Sequence, residues 1–151
     1  MIAIKPLQAG EEPDLLSLAQ EMREESPVYR PYPFNAERLM TWIDLCISDP
    51  DWLCLMAWDE TGEAIGFIAV GSVPMMFSSE RSVDDLGLYV VPKWRGTTAA
   101  LRLVRQMEGW ASGKCKVIRM GVTTGTNKDQ TVKFLERLGY QQTGILLTKQ
   151  T

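Results

Sequence analysis

The run VDDLGLYVVPKWRGTTAALRLVRQMEGWA, Val83 to Ala111, changes its periodicity once, and the architecture follows from where that happens. Val83 to Val91 is dominated by aliphatic and aromatic residues and reads as a strand. Pro92 closes it, because proline has no N–H to give to a sheet. The turn Arg95-Gly96-Thr97-Thr98-Ala99-Ala100 follows, and then a helix to about Ser112. A strand entering a helix through a glycine-containing turn presents free backbone N–H groups at the helix start. Together with the helix dipole they suit an anion, phosphate above all. Small residues at Gly96, Ala99 and Ala100 let such a ligand approach the main chain. The turn is neither GxxxxGK[ST] nor GxGxxG. On spacing alone, a phosphate site and a plain helix N-terminus explain it equally well.

Working outward, Ile2–Leu7 reads as a short strand. Pro13 opens a helix with Leu15, Leu16, Leu18, Ala19 and Met22 on one stripe. EESPVYRPYPF carries Pro27, Pro31 and Pro33 and is a stiff loop. Asn35 caps a second helix. Trp52–Trp58 and Ala64–Val73 are strands joined by the turn Glu60–Glu63, and PMMFSSERS is a loop before the Val83 strand. After the central helix come a strand over Val117–Val122, a helix from about Asp129 to Leu138 stopped by Gly139, and a last strand over Tyr140–Lys149. The expectation is an α/β fold: one domain over residues 1–151, order β-α-α-β-β-β-α-β-α-β, with a mixed central sheet and helices on both faces.

The 151 residues suffice for one core. A net charge of −3 argues against a nucleic-acid partner, though it leaves room for a local basic groove. No apolar run reaches membrane-spanning length and no secretory signal opens the chain, so a cytoplasmic protein is expected. Cys46, Cys54 and Cys115 have neither disulfide nor zinc spacing and read as packing residues. Histidine is absent, which excludes imidazole bases, His triads and His-ligated metals, and no metal site is expected. Proton transfer must fall to carboxylates, tyrosines, lysines, thiols or water.

The Val83–Ala111 run resembles the central motif of the GNAT superfamily of N-acetyltransferases, a strand, a proline and [QR]-x-x-G-x-[GA] entering a helix. GVTTGTNKDQTVKFLERLGYQQTG, Gly121 to Gly144, is similar to that family's C-terminal motif. The resemblance implies an acetyl-CoA-dependent enzyme acetylating an amine, alone or as a homodimer. A CoA-binding module without catalysis is the alternative. It implies that Arg95, Gly96, Thr97, Thr98, Ala99, Ala100 and Leu101 present amides to the CoA pyrophosphate. It further implies that Tyr89, Val90 and Val91 pair with the pantetheine amides, and that Asn127 hydrogen-bonds the pantetheine arm. Two positions depart from the family. Thr98 replaces the second glycine, and Leu135 stands where many members carry a tyrosine acid.

An ammonium acceptor must lose a proton before it attacks, and Asp84 or Asp85 at the start of the CoA-side strand is the candidate base. Alternation puts the two on opposite faces, and Asp85 is favoured as sharing a face with Gly87 and Tyr89. The acceptor site is expected between the proline-rich loop, with Ser26, Tyr29, Arg30, Tyr32 and Phe34, and the PMMFSSE loop. Met75, Met76 and Phe77 either line that site or pack beside it. Tyr29 or Tyr32 is placed to substitute for the missing acid.

Overall fold

The computed structural model describes residues 1–151. Five strands form one sheet in the order β1-β2-β3-β4-β5: β1 (Ala3–Pro6), β2 (Trp52–Trp58), β3 (Ala64–Pro74), β4 (Arg81–Val90) and β5 (Val117–Arg119). The first four are antiparallel neighbours and β5 lies parallel to β4, so the sheet is mixed. Four helices cover it: α1 (Glu12–Glu25), α2 (Ala36–Ser48), α3 (Ala99–Ala111) and α4 (Lys128–Arg137).

Each face has its own core. On one side Leu15 and Leu18 of α1 and Ile43 of α2 meet Cys54, Met56, Phe67 and Tyr89 of the strands. On the other, Leu103, Val104 and Met107 of α3 pack on Leu55, Ile68, Val83 and Val90. The three α3 side chains are wholly buried, which stabilises the fold by roughly 1.5–3 kcal/mol each. Local signals set the helix ends. Asn35 Oδ1 accepts from the Arg38 N–H at 3.0 Å, and Gly139 takes φ +97° just past α4.

Two sequence expectations are corrected here. Tyr140–Lys149 joins no sheet: residues 138–151 carry no regular structure, and 141–151 are exposed. The expected order therefore ends at α4. The PMMFSSERS segment is a tight turn within a β3–β4 hairpin, with the Met75 N–H donating to Glu80 O at 2.9 Å. Strand pairing continues to Pro74↔Arg81.

Candidate active site

The β4–β5 ladder is only three rungs long and ends at Asp84↔Arg119. From Asp85 onward the two segments part. Between them lies a cleft of about 1030 Å³, walled by Asp85 to Val90 on one side and Met120 to Thr124 on the other. The Val91 N–H donates to Ile65 O at 3.0 Å, toward β3. Alternation gives Tyr89 the same direction and turns the backbone groups of Leu88 and Val90 toward the opening. Of the trio Tyr89, Val90 and Val91, only Val90 offers its main chain to the cleft. Its carbonyl already accepts from Arg95 Nε at 2.8 Å.

Beyond Val90 the chain makes a single 3-10 turn over Pro92–Trp94 and swings through Gly96 at φ +80° before α3 starts. The N–H groups of Gly96, Thr97, Thr98, Ala100 and Leu101 have no acceptor within the chain. That of Ala99 is taken by Thr97 Oγ1 at 3.3 Å, and the Ala99 side chain is core. Five unpaired donors at the mouth of a 13-residue helix suit a diphosphate. Thr98 occupies the N-cap at φ −80°, a conformation that makes no demand for glycine. A Cβ added at Gly96 would meet nothing within 4 Å, so the space above the turn is open.

Arg95 does not present the amide expected of it, because its N–H donates to Pro92 O at 3.2 Å. Its guanidinium turns back into the protein, with Nη2 at 2.9 and 2.8 Å from the two Glu25 oxygens and the group stacked 5.5 Å from the Tyr89 ring. Tyr89 Oη donates to the same carboxylate at 2.8 Å. Burial, and then the Glu25 hydrogen bond, push the Tyr89 phenol well above its ordinary value. The end of α1 is thus tied to the phosphate turn, and the charge of Arg95 is spent on Glu25. Glu25 was missed in the sequence because a partner seventy residues away leaves no local trace. The pair is about 30% exposed (side chains 30% and 27%), between the surface and buried regimes. Glu25→Gln should therefore cost about 1–2 kcal/mol in urea unfolding and weaken CoA binding by loosening the turn.

The adjacent carboxylates have separate tasks. Asp84 is clamped by Arg119 through Nε–Oδ1 at 2.9 Å and Nη2–Oδ2 at 2.6 Å. Partial burial pushes its pKa up, but hydrogen bonds from Arg119 and Ser82 outweigh this and hold it below the usual value. Asp85 accepts one hydrogen bond, from the Gly121 N–H at 2.8 Å across the opening, and lines the cleft. Burial raises its pKa against the pull of Gly121, and the charge of Asp84 raises it further. The expected face is wrong. Ala69 pairs with Gly87 and Val70 with Asp85, so Leu86 is an extra, bulged residue. The bulge reverses alternation: Gly87 looks toward Met22 of α1, while Val83 and Val90 share the α3-side core. Asp85 therefore lies on the α3 side, opposite Gly87 and Tyr89.

The proline-rich loop is one wall of the cleft in part. Tyr29, Tyr32 and Phe34 line it, and Tyr29 Oη lies 3.3 Å from Thr123 Oγ1. Ser26 does not: it is fully buried, donating to the Thr124 carbonyl and accepting from the Val28 and Tyr29 N–H groups. It fastens the loop. Arg30 is exposed outside the cleft; its main chain donates to Ser26 O and accepts from Arg23, and its side chain makes no hydrogen bond. The second expected wall is absent. Met76 and Phe77 are 87% and 95% exposed at the hairpin tip, by the start of β4, whereas the cleft opens toward its end. The opposing wall comes instead from α1 and α2, through Met22, Arg38, Leu39 and Trp42. Asn127, at φ 47°, borders the cleft with a side chain that caps nothing. Leu135 is buried against it and brings no hydroxyl.

A model of the acetyltransferase (GNAT) family matches residues 16–140. A search of curated proteins finds no match. Among solved structures, AAC(6')-Iy, in complex with the bisubstrate analog CoA-S-monomethyl-acetylneamine, superposes with a TM-score of 0.77 at 15% identity, over 100% of this chain and 98% of its own. The aminoglycoside 6'-N-acetyltransferase AAC(6')-Ih from Acinetobacter baumannii gives 0.76 at 18%, over 100% and 98%. A transcriptional regulator from Bacillus halodurans C-125 gives 0.76 at 18%, over 100% of both chains. At such identities these likenesses speak for the fold alone, and the family match adds the chemistry. A β4–β5 opening, a helix-mouth donor set and a family match over most of its length place the chain in the GNAT family, as an acetyl-CoA-dependent N-acetyltransferase.

Proposed function

We propose that the enzyme acetylates a primary amine carried on an apolar body with an anionic group, by direct attack in a ternary complex with Asp85 as base. The observation behind the base is its position: a carboxylate of raised pKa at the point where β4 and β5 separate. Acetyl-CoA supplies an acyl group activated as a thioester, with a thiolate of conjugate-acid pKa about 8.5 as leaving group. Such a thiolate departs without obligatory protonation, so Leu135 does not disable the site. The five free N–H groups hold the diphosphate, and the Val90 and Leu88 main chain and Asn127 line the arm's path. Asp85 takes the ammonium proton and holds it within the cleft, directly or through one water.

The acceptor chemistry rests on the lining. Asp85 is the one carboxylate there, against Arg23, Arg38 and Arg95. Arg95 is paired with Glu25, and Arg23 is bonded to the Arg30 and Tyr32 carbonyls. Arg38 makes no side-chain hydrogen bond or ion pair and is free for an anion. Beside it a smaller pocket of about 190 Å³, lined by hydrophobic residues including Leu15, Trp42 and Phe67, opens from the same wall. This lining suits an aromatic or branched amino acid better than a polycation. With thiol release as the assay, phenylalanine should be used better than phenethylamine, and Arg38→Ala should remove that preference by raising KM about tenfold or more. Preferential turnover of an aminoglycoside would overturn the assignment.

A further inference from the structure

We infer that Leu86 is a specificity-determining residue: it stands at the doorway between the cleft and the smaller pocket, and its side chain limits the apolar group that an acceptor can bring. The inference rests on the acceptor reading given above. The two spaces share five lining residues, Ala19 and Met22 of α1, Leu39 and Trp42 of α2, and Leu86 of β4, so these five form the passage between them. The bulge puts Leu86 there. In a regular strand Leu86 and Gly87 would face opposite sides, whereas the extra residue leaves both on the α1–α2 side. A Cβ at Gly87 would come within 3.3 Å of Met22 Cε and 3.5 Å of the Phe67 ring, so the glycine leaves the Met22 methyl its seat. Trp42 packs against the Trp52 ring, with centroids 5.5 Å apart. Of the five, Leu86 alone is exposed, at 42%.

Behind the doorway every lining residue is hydrophobic. Ile43, Phe67 and Ala69 belong to the α1–α2 core, and Cys46 adds a thiol whose pKa burial pushes up to about 11, neutral at physiological pH. An unfilled apolar void forfeits packing contacts that a bound apolar group restores. Size decides which group. An apolar cavity of about 150 Å³ holds a benzene ring. The pocket, at about 190 Å³, therefore takes a benzyl group and leaves little room for a second fused ring. Arg38 and Trp42 lie one helical turn apart on α2, so a carboxylate on Arg38 and a ring passing Trp42 can belong to one short molecule. Leu86 closes the sheet side of that passage, and its bulk is the limit on what enters.

Toluene and indole test the doorway without any reaction. In protein isotope-labelled at the methionine methyls, the Met22 signal, assigned by its loss in Met22→Leu, should shift with toluene and stay in place with indole. Leu86→Ala should strengthen indole binding about tenfold or more, and Leu86→Phe should weaken toluene binding by as much. Because Leu86 is exposed, both variants should keep wild-type circular dichroism and thermal stabilisation by acetyl-CoA. In the thiol-release assay, Leu86→Ala should raise the kcat/KM ratio of tryptophan to phenylalanine about tenfold or more, and Leu86→Phe should lower that of phenylalanine to alanine similarly. A wild type that binds indole as readily as toluene, or probe binding unmoved by both variants, overturns the inference. If Leu86 controls the two probes while no amino acid releases thiol, the doorway stands and the acceptor assignment falls. Turnover of phenylalanine with a selectivity blind to Leu86 does the reverse.

Discussion

Gly96→Glu is expected to weaken acetyl-CoA binding by a hundredfold or more, read by calorimetry or by loss of the ligand-induced thermal shift. Two effects add. At φ +80° a side chain costs roughly 1–2 kcal/mol, which pulls the turn away from its donor geometry. The new carboxylate also stands above the N–H groups of Gly96, Thr97 and Thr98, where a diphosphate would need to sit, and like charges at that distance repel in a partly desolvated site. Steric damage is not part of the effect, because the added Cβ meets nothing within 4 Å. The apo variant should keep its circular dichroism and most of its stability. Unchanged affinity would show that the diphosphate binds somewhere other than this helix mouth.

Asp85→Asn should lower kcat/KM by roughly 10²–10⁴ while leaving acetyl-CoA affinity near wild type, the signature of a lost general base. The pH profile gives an independent reading. The base works deprotonated, and burial raises its pKa above the ordinary 3.8. The wild-type rate should therefore fall on acidification at a pH above the ordinary aspartate value, and the limb should vanish in Asp85→Asn. The same shift has a stability counterpart. A carboxyl that binds its proton more tightly when folded costs stability once the pH exceeds its unfolded value, up through its folded one. Asp85→Asn should then be slower but slightly more resistant to heat at neutral pH. Damage from Asp84→Asn instead would transfer the role to the Arg119-paired carboxylate.

What could be read in advance was what the chain encodes locally. Strand, proline, glycine turn and helix follow one another without interruption from Val83 to Ala111, so the helix mouth needed no tertiary information. The Asn35 cap and the Gly139 stop are equally local. The face of Asp85 was not legible by alternation, because one bulged residue at Leu86 shifts everything before it. The Leu86–Gly87 step was the available hint, since glycine inside a strand often marks such a bulge. Glu25 went unnoticed among five acidic neighbours on α1 and its flanks, since only folding selects the one that meets Arg95. Ser26 misled for the opposite reason: a serine in a polar loop looks like a ligand donor, and this one satisfies the loop's own N–H groups. The tail misled because a run of aliphatic residues satisfies a strand pattern without supplying a partner strand, and Tyr140–Lys149 pairs with none.

The short β4–β5 ladder has one more implication. Its last rung, locked by the Asp84–Arg119 pair, fixes how far toward the sheet the slot extends. Each further rung would shorten the slot by about 3.3 Å, close to the span of a few carbon–carbon bonds. With the thioester placed as proposed, the number of rungs would act as a ruler for the acyl chain: two carbons would reach the floor beside Asp85, and longer donors would have to unzip the strands to fit.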